Sequence, residues 1–122
     1  MTEDTKRRVI VVDDEQVIAS TLAIILNQAG FEAIALFSGE EAIAELEHFQ
    51  PDLLITDVIM PGMSGIEAAL ITRRKLPKCK ILLFSGQAAT SDLLDKARSE
   101  GHEFDILAKP VHPTDLLKKL RR

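Results

Sequence analysis

The chain predicts an α/β fold of the three-layer (βα)5 kind, a five-stranded parallel sheet with helices on both faces. Three observations carry that expectation. Apolar runs of strand length alternate with segments of helical period five times over. One run, Leu53-Leu54-Ile55-Thr56, is apolar throughout, as expected of a central strand covered on both faces. Three runs end in charged side chains, at Asp13-Asp14-Glu15, at Asp57 and at Lys109. In an open α/β sheet, functional groups sit in the crevice outside the carboxyl ends of the strands.

In chain order, the first strand is expected over Val9 to Val12, and its helix carries Val17, Ile18, Leu22, Ile25 and Leu26 inward. That helix stops near Gly30, a residue suited to the position just past a helix end. The second strand spans about Glu32 to Leu36. Its helix opens on Ser38-Gly39-Glu40-Glu41, a Ser-x-x-Glu capping box, and buries Ala42, Ile43 and Leu46. Pro51 closes that connection. The third strand runs from Leu53 to Thr56, and the helix after Gly65 carries Ile66, Ala69, Leu70 and Arg73 before Pro77 ends it. The fourth strand, Lys80 to Phe84, leads to Ser85-Gly86 and a helix from about Ser91 to Glu100, stopped at Gly101. The fifth strand is expected over Phe104 to Ala108. The last helix begins near Pro113, a residue suited to a first helical turn, with Leu116, Leu117 and Leu120 facing inward.

No linker, repeat or low-complexity segment interrupts this pattern, so Met1–Arg122 is expected to form one domain, with residues 1–7 as an N-terminal tail. At 122 residues and 46% hydrophobic content, the chain suffices for one real core and is too short for two. A formal charge of -4 argues against a nucleic-acid-binding module. The basic stretch Lys118-Lys119-Leu120-Arg121-Arg122 is explained by the dipole of the last helix. The single cysteine, Cys79, permits no internal disulfide and sits beside an apolar run, which suggests a buried thiol in a reducing compartment. With no apolar stretch of membrane-spanning length, no membrane role and a cytoplasmic location are expected. His48, His102 and His112 lack metal-ligand spacing, and Met60 and Met63 flank the Pro61-Gly62 turn as packing residues.

The strand ends carry the chemistry. Three carboxylates from Asp13, Asp14 and Asp57 converging on one place would repel one another, which raises at least one pKa. A hard divalent cation such as Mg2+ relieves that repulsion through oxygen ligands. Lys109 supplies a compact positive charge for a phosphoryl oxygen, and the Ser85 hydroxyl can hydrogen-bond another. This set suits in-line phosphoryl transfer to a carboxylate nucleophile, giving an acyl phosphate. Each residue alone also has an ordinary explanation: acids favour a helix N-terminus, and Asp opens turns.

Taken together, Asp13-Asp14-Glu15, Asp57-x-x-Met60-Pro61 with Gly65, Ser85-Gly86 and Lys109-Pro110 resemble the receiver domain of bacterial two-component response regulators, from about Arg8 to the end of the chain. The resemblance implies a flavodoxin-like sheet of order 2-1-3-4-5. It implies Asp57 as acceptor of a phosphoryl group from a sensor histidine kinase or a histidine phosphotransfer protein. Mg2+ would be held by Asp14, Asp57 and the backbone carbonyl of Ile59, with Asp13 assisting through water. Ser85 would take the switch hydroxyl role and Lys109 the lysine role, with a cis bond between Lys109 and Pro110. Such a domain assists its own phosphorylation and dephosphorylation without being a turnover enzyme. It would act on a downstream target protein or on an output domain outside this chain, with a phosphorylation-dependent homodimer as one form.

The chain departs from the family pattern at Ile106, where relatives often carry an aromatic residue. Phe104, two residues earlier on the same strand face, either substitutes in part or is plain core. The loop before it, from Gly101 to Asp105, also looks one residue longer than usual. Ile59 and Gln87, two residues beyond Asp57 and Ser85, occupy positions that tune attack by water. An apolar Ile59 cannot orient that water, so slow self-dephosphorylation is expected. Two other functions compete. A Mg2+-dependent phosphatase would want a second acid where Ile59 stands. A receiver-fold binding module that is never phosphorylated would have little use for intact Asp57, Asp14 and Lys109.

Overall fold

The computed structural model describes residues 6–86 and 90–120, with helical side chains near the start of the fourth helix described from Leu94 onward. Ten elements alternate: β1 (Arg8–Val12), α1 (Gln16–Gln28), β2 (Glu32–Leu36), α2 (Gly39–Phe49), β3 (Leu53–Asp57), α3 (Gly65–Lys75), β4 (Lys80–Ser85), α4 (Thr90–Ser99), β5 (Asp105–Ala108) and α5 (Pro113–Leu120). All four strand pairings are parallel, in the order β2-β1-β3-β4-β5. The fold is the three-layer, flavodoxin-like arrangement expected from the sequence.

Side chains of a strand alternate between its two faces, and the sheet accordingly divides the core in two. Val9, Val11, Leu53, Ile55, Leu82 and Phe84 pack with Leu22 and Leu26 of α1 and Leu116 and Leu120 of α5. Ile10, Val12, Leu54, Ile81 and Leu83 face the other way, against Ala42 and Leu46 of α2, Ile66 and Ala69 of α3, and Ala97 of α4. β3 is buried along its whole length, which its unbroken apolar run required.

Helix ends follow local chemistry. Gly30 has φ +100°, the left-handed conformation that ends α1. Ser38 Oγ accepts from the Glu41 amide at 3.0 Å, but Glu41 reaches back to the Phe37 amide rather than to Ser38. The reciprocal capping box instead opens α3. There Ser64 Oγ accepts from the Glu67 amide, and the Glu67 carboxylate accepts from the Ser64 amide.

Several sequence expectations are corrected. Val17 is 78% exposed rather than inward, and the buried face of α1 is made by Ala19, Leu22, Ala23 and Leu26. β5 starts at Asp105, so Phe104 precedes the strand. Phe104 is half-buried against the α3–α4 side of the core, with the Arg73 guanidinium 4.4 Å from its ring centroid. β5 itself is an exposed edge, with only Leu107 half-buried. Arg7, in the expected tail, donates from its guanidinium to the Leu120 carbonyl at 2.6 Å, and its own carbonyl accepts from the Glu32 amide.

Candidate functional site

The strand register sets the site. Val12 at the end of β1 pairs with Thr56, Asp57 pairs with Phe84, and Ser85 pairs with Ala108. The next residues along, Asp13 and Lys109, therefore arrive on either side of Asp57. Asp13 stays in the sheet's frame, its amide donating to the Leu36 carbonyl. It is fully buried, whereas Asp14 is exposed.

Lys109 Nζ donates to Asp13 Oδ2 at 3.0 Å and to Asp57 Oδ2 at 3.1 Å, and stands 4.0 Å from Glu15 Oε1. Asp57 Oδ1 accepts from the Val58 amide at 2.8 Å. Asp13 Oδ1 accepts from the Glu15 amide at 2.9 Å, which turns the chain into α1. Asp13, Asp14 and Asp57 each offer an oxygen within 4.8 Å of the others, the one such cluster among the described residues. Three carboxylates as hard oxygen donors, two of them lining a cleft, fit Mg2+.

Electrostatics divide along the same lines. Burial pushes the Asp57 carboxyl above its ordinary 3.8, and the Asp13 charge adds to the rise. The Lys109 contact and the Val58 N–H pull the other way without cancelling it. For Lys109, burial acts downward, but the hydrogen bonds and attraction of Asp13 and Asp57 outweigh it and hold the amine above 10.5.

The cleft, about 570 Å³, is lined by Asp14, Glu15, Asp57, Ile59, Met60, Pro61, Gly86 and Lys109. Ile59 is 41% exposed, while Met60 is buried at the cleft floor. Ser85 ends β4 beside Lys109, its carbonyl accepting from the Lys109 amide at 3.0 Å. The Lys109–Pro110 bond is cis. Gln87 lies outside the described residues. The histidines stay apart from the site, and Cys79 is buried with its thiol pushed up to about 12, chiefly by burial.

Phe84 goes beyond the site residues expected from sequence, and two motif residues, Glu15 and Gly65, gain a stated role. Glu15 joins the cleft, and the Phe84 ring lies 5.1 Å from Lys109 Nζ. Gly65 has a steric reason: a Cβ there would overlap the Asp57 carbonyl. The strand-end register could have suggested Phe84; nothing local in the sequence distinguishes it from other core residues.

Comparison with known proteins gives the same outcome. The chain is 30% identical over 119 residues to the DNA-binding response regulator MtrA of Mycolicibacterium smegmatis, covering 97% of this chain and 51% of the relative. It thus spans about half the length of the curated relatives it matches. The CheY4 chemotaxis response regulator of Vibrio cholerae superposes with a TM-score of 0.83 at 30% identity, over 97% of this chain and 98% of that one. A CheY-like receiver domain protein of Methanospirillum hungatei gives 0.85 at 26% identity, over 96% and 92%. The model of the response regulator receiver domain matches residues 9–121. The chain therefore belongs to the response regulator receiver domain family, signalling domains of two-component systems.

Proposed function

We propose that this domain is a phosphoacceptor switch, taking a phosphoryl group on Asp57 from a sensor histidine kinase or a histidine phosphotransfer protein. The supporting observation is the Asp57 carboxylate at a cleft, 3.1 Å from Lys109 and clustered with two further acids. An Asp57 oxygen forms the new O–P bond as the N–P bond to the donor histidine breaks, and the electron pair stays on that imidazole nitrogen. Lys109 neutralises charge on the phosphoryl oxygens, and the Ser85 hydroxyl hydrogen-bonds one of them. Asp14, Asp57 and the Ile59 carbonyl would hold Mg2+, with Asp13 assisting through water; the ion supplies further charge neutralisation.

Because Lys109 bridges Asp13 and Asp57 in the unphosphorylated domain, a phosphoryl group must redistribute those contacts. That redistribution biases a two-state equilibrium read by a downstream target, an output domain or a second copy of the domain. The domain assists its own phosphorylation and dephosphorylation without turning over a substrate. Its setting is the cytoplasm; no helix among the described residues is long and apolar enough to cross a membrane. Ile59 presents an apolar side chain to the cleft and orients no water, so the acyl phosphate is long-lived.

The test is intact mass after incubation with acetyl phosphate, with and without Mg2+, for the wild type and Asp57→Asn. One Mg2+-dependent adduct, absent from the variant, is the expected result. No adduct on folded wild type would make the domain an unphosphorylated binding module. Rapid loss of phosphate, unaffected by changing Ile59, would overturn the long lifetime.

A further inference from the structure

The opposite pole of the sheet carries a feature unrelated to phosphoryl transfer. Leu53, Lys80 and Asp105 are the first residues of β3, β4 and β5, so they mark the end of the parallel sheet away from Asp57. Two depressions of about 580 and 320 Å³ adjoin there, sharing Arg7, Lys78 and Lys80. Arg73 and Lys119 line the larger one, and Lys6 lines the smaller. Six cations thus face three acids, Asp52, Glu103 and Asp105, a surplus of three positive charges on a chain whose net charge is -4.

Helix dipoles account for only part of this. Arg73 lies in the last turn of α3 and Lys119 in the last turn of α5, where cations are favoured. Lys6, Arg7, Lys78 and Lys80 belong to no helix. Among the described residues, Lys6, Lys78, Lys80 and Lys119 form no ion pair. The two arginines are held in place and retain free donors. Arg7 spends one N–H on the Leu120 carbonyl, and Arg73 spends one on the Glu103 carbonyl while stacking on Phe104. A guanidinium held in place loses less freedom when it binds a carboxylate.

We propose that this basic trough docks an acidic peptide segment of a partner protein, its carboxylates on the trough's cations. Spaced carboxylates suit the trough better than dense phosphate. The helices end at this pole, so no helix N-terminus is there to receive a phosphate. The interspersed acids, with the chain's overall negative charge, disfavour a nucleic-acid backbone. The proposal is independent of the phosphoacceptor reading, because the trough and the cleft share no residue.

The experiment is fluorescence anisotropy with a fluorescein-labelled Glu/Asp-rich peptide. Binding should weaken at least about tenfold in Lys78→Glu/Lys80→Glu, both exposed positions, and also from about 50 to about 300 mM NaCl. Lys96→Glu/Lys118→Glu, an equal charge change at exposed positions outside the trough, should alter it less than about twofold. Circular dichroism and urea midpoints verify that the variants are folded. No binding to wild type, equal loss in Lys96→Glu/Lys118→Glu, or tighter binding of pyrophosphate or an oligonucleotide than of the peptide would each overturn the proposal.

Discussion

β3 and β5 each deliver one side of the same ion pair, yet their surroundings differ sharply. β3 is buried at every residue between two helical layers, and its last residue, Asp57, is held by the Val58 amide. β5 lies at the sheet edge, with Asp105, Ile106 and Ala108 exposed. Asp57 is thus built into a strand that is buried along its whole length. The lysine hangs from a strand with few buried apolar contacts, and such segments open at low free-energy cost. The proposed switch would use that asymmetry: Asp57 keeps its geometry while Lys109 can be repositioned.

The largest effect should come from hollowing out the central strand. Ile55→Ala is expected to cost about 2–5 kcal/mol, the range for removing a fully buried aliphatic side chain, read from urea unfolding. The equivalent change at the edge, Ile106→Ala, should cost less than about 0.5 kcal/mol, as exposed positions do. Comparable losses at the two sites would dissolve the contrast.

Next in size is the effect of removing the Asp57 charge. Burial raises the Asp57 pKa in the folded state, so that state holds the proton more tightly than the unfolded chain does. Asp57's contribution to stability is therefore fully present below 3.8 and is lost as pH rises through the raised folded value. At neutral pH the charged carboxylate is a net cost, and Asp57→Asn should stabilise the protein by about 1 kcal/mol. The gain should shrink as pH falls toward 3.8, and a destabilised variant at pH 7 would show the Lys109 contact outweighing burial.

The smallest effect on stability comes with the sharpest local readout. Cys79, buried with its thiol pushed up to about 12, should resist a thiol reagent at pH 8 until urea unfolds the protein. In Ile106→Cys, the new edge thiol should label at once, one equivalent per chain, with the fold unchanged. Labelling of Cys79 in the native wild type would mean that the lower end of the sheet opens as readily as its edge.

The central strands were legible because burial on both faces leaves only an apolar run compatible with β1 and β3. The edge was less so, because Ile106-Leu107-Ala108 reads as apolar whether covered or not, and nothing local places it at the sheet's rim. Val17 misled for the same reason: helical period places it within an apolar stripe, but the core covers Ile18, Ala19, Leu22, Ala23 and Leu26 of α1 and leaves Val17 exposed. The Ser64-x-x-Glu67 capping box could have been read from its spacing, as its counterpart at Ser38 was.

By itself the sequence determined the alternation of elements, the sheet's two buried faces and the residue types at the strand ends. It could not determine which acid meets the lysine, since Asp13 and Asp14 are chemically identical neighbours. Only the tertiary structure decided that Asp13 is buried under Lys109 while Asp14 faces the cleft. The physical reason is that successive side chains of an extended segment point to opposite sides. Which side is inward depends on strand pairings between residues distant in sequence, Val12 with Thr56 and Asp57 with Phe84, which bring Asp13 and Asp57 to a lysine 96 and 52 positions away.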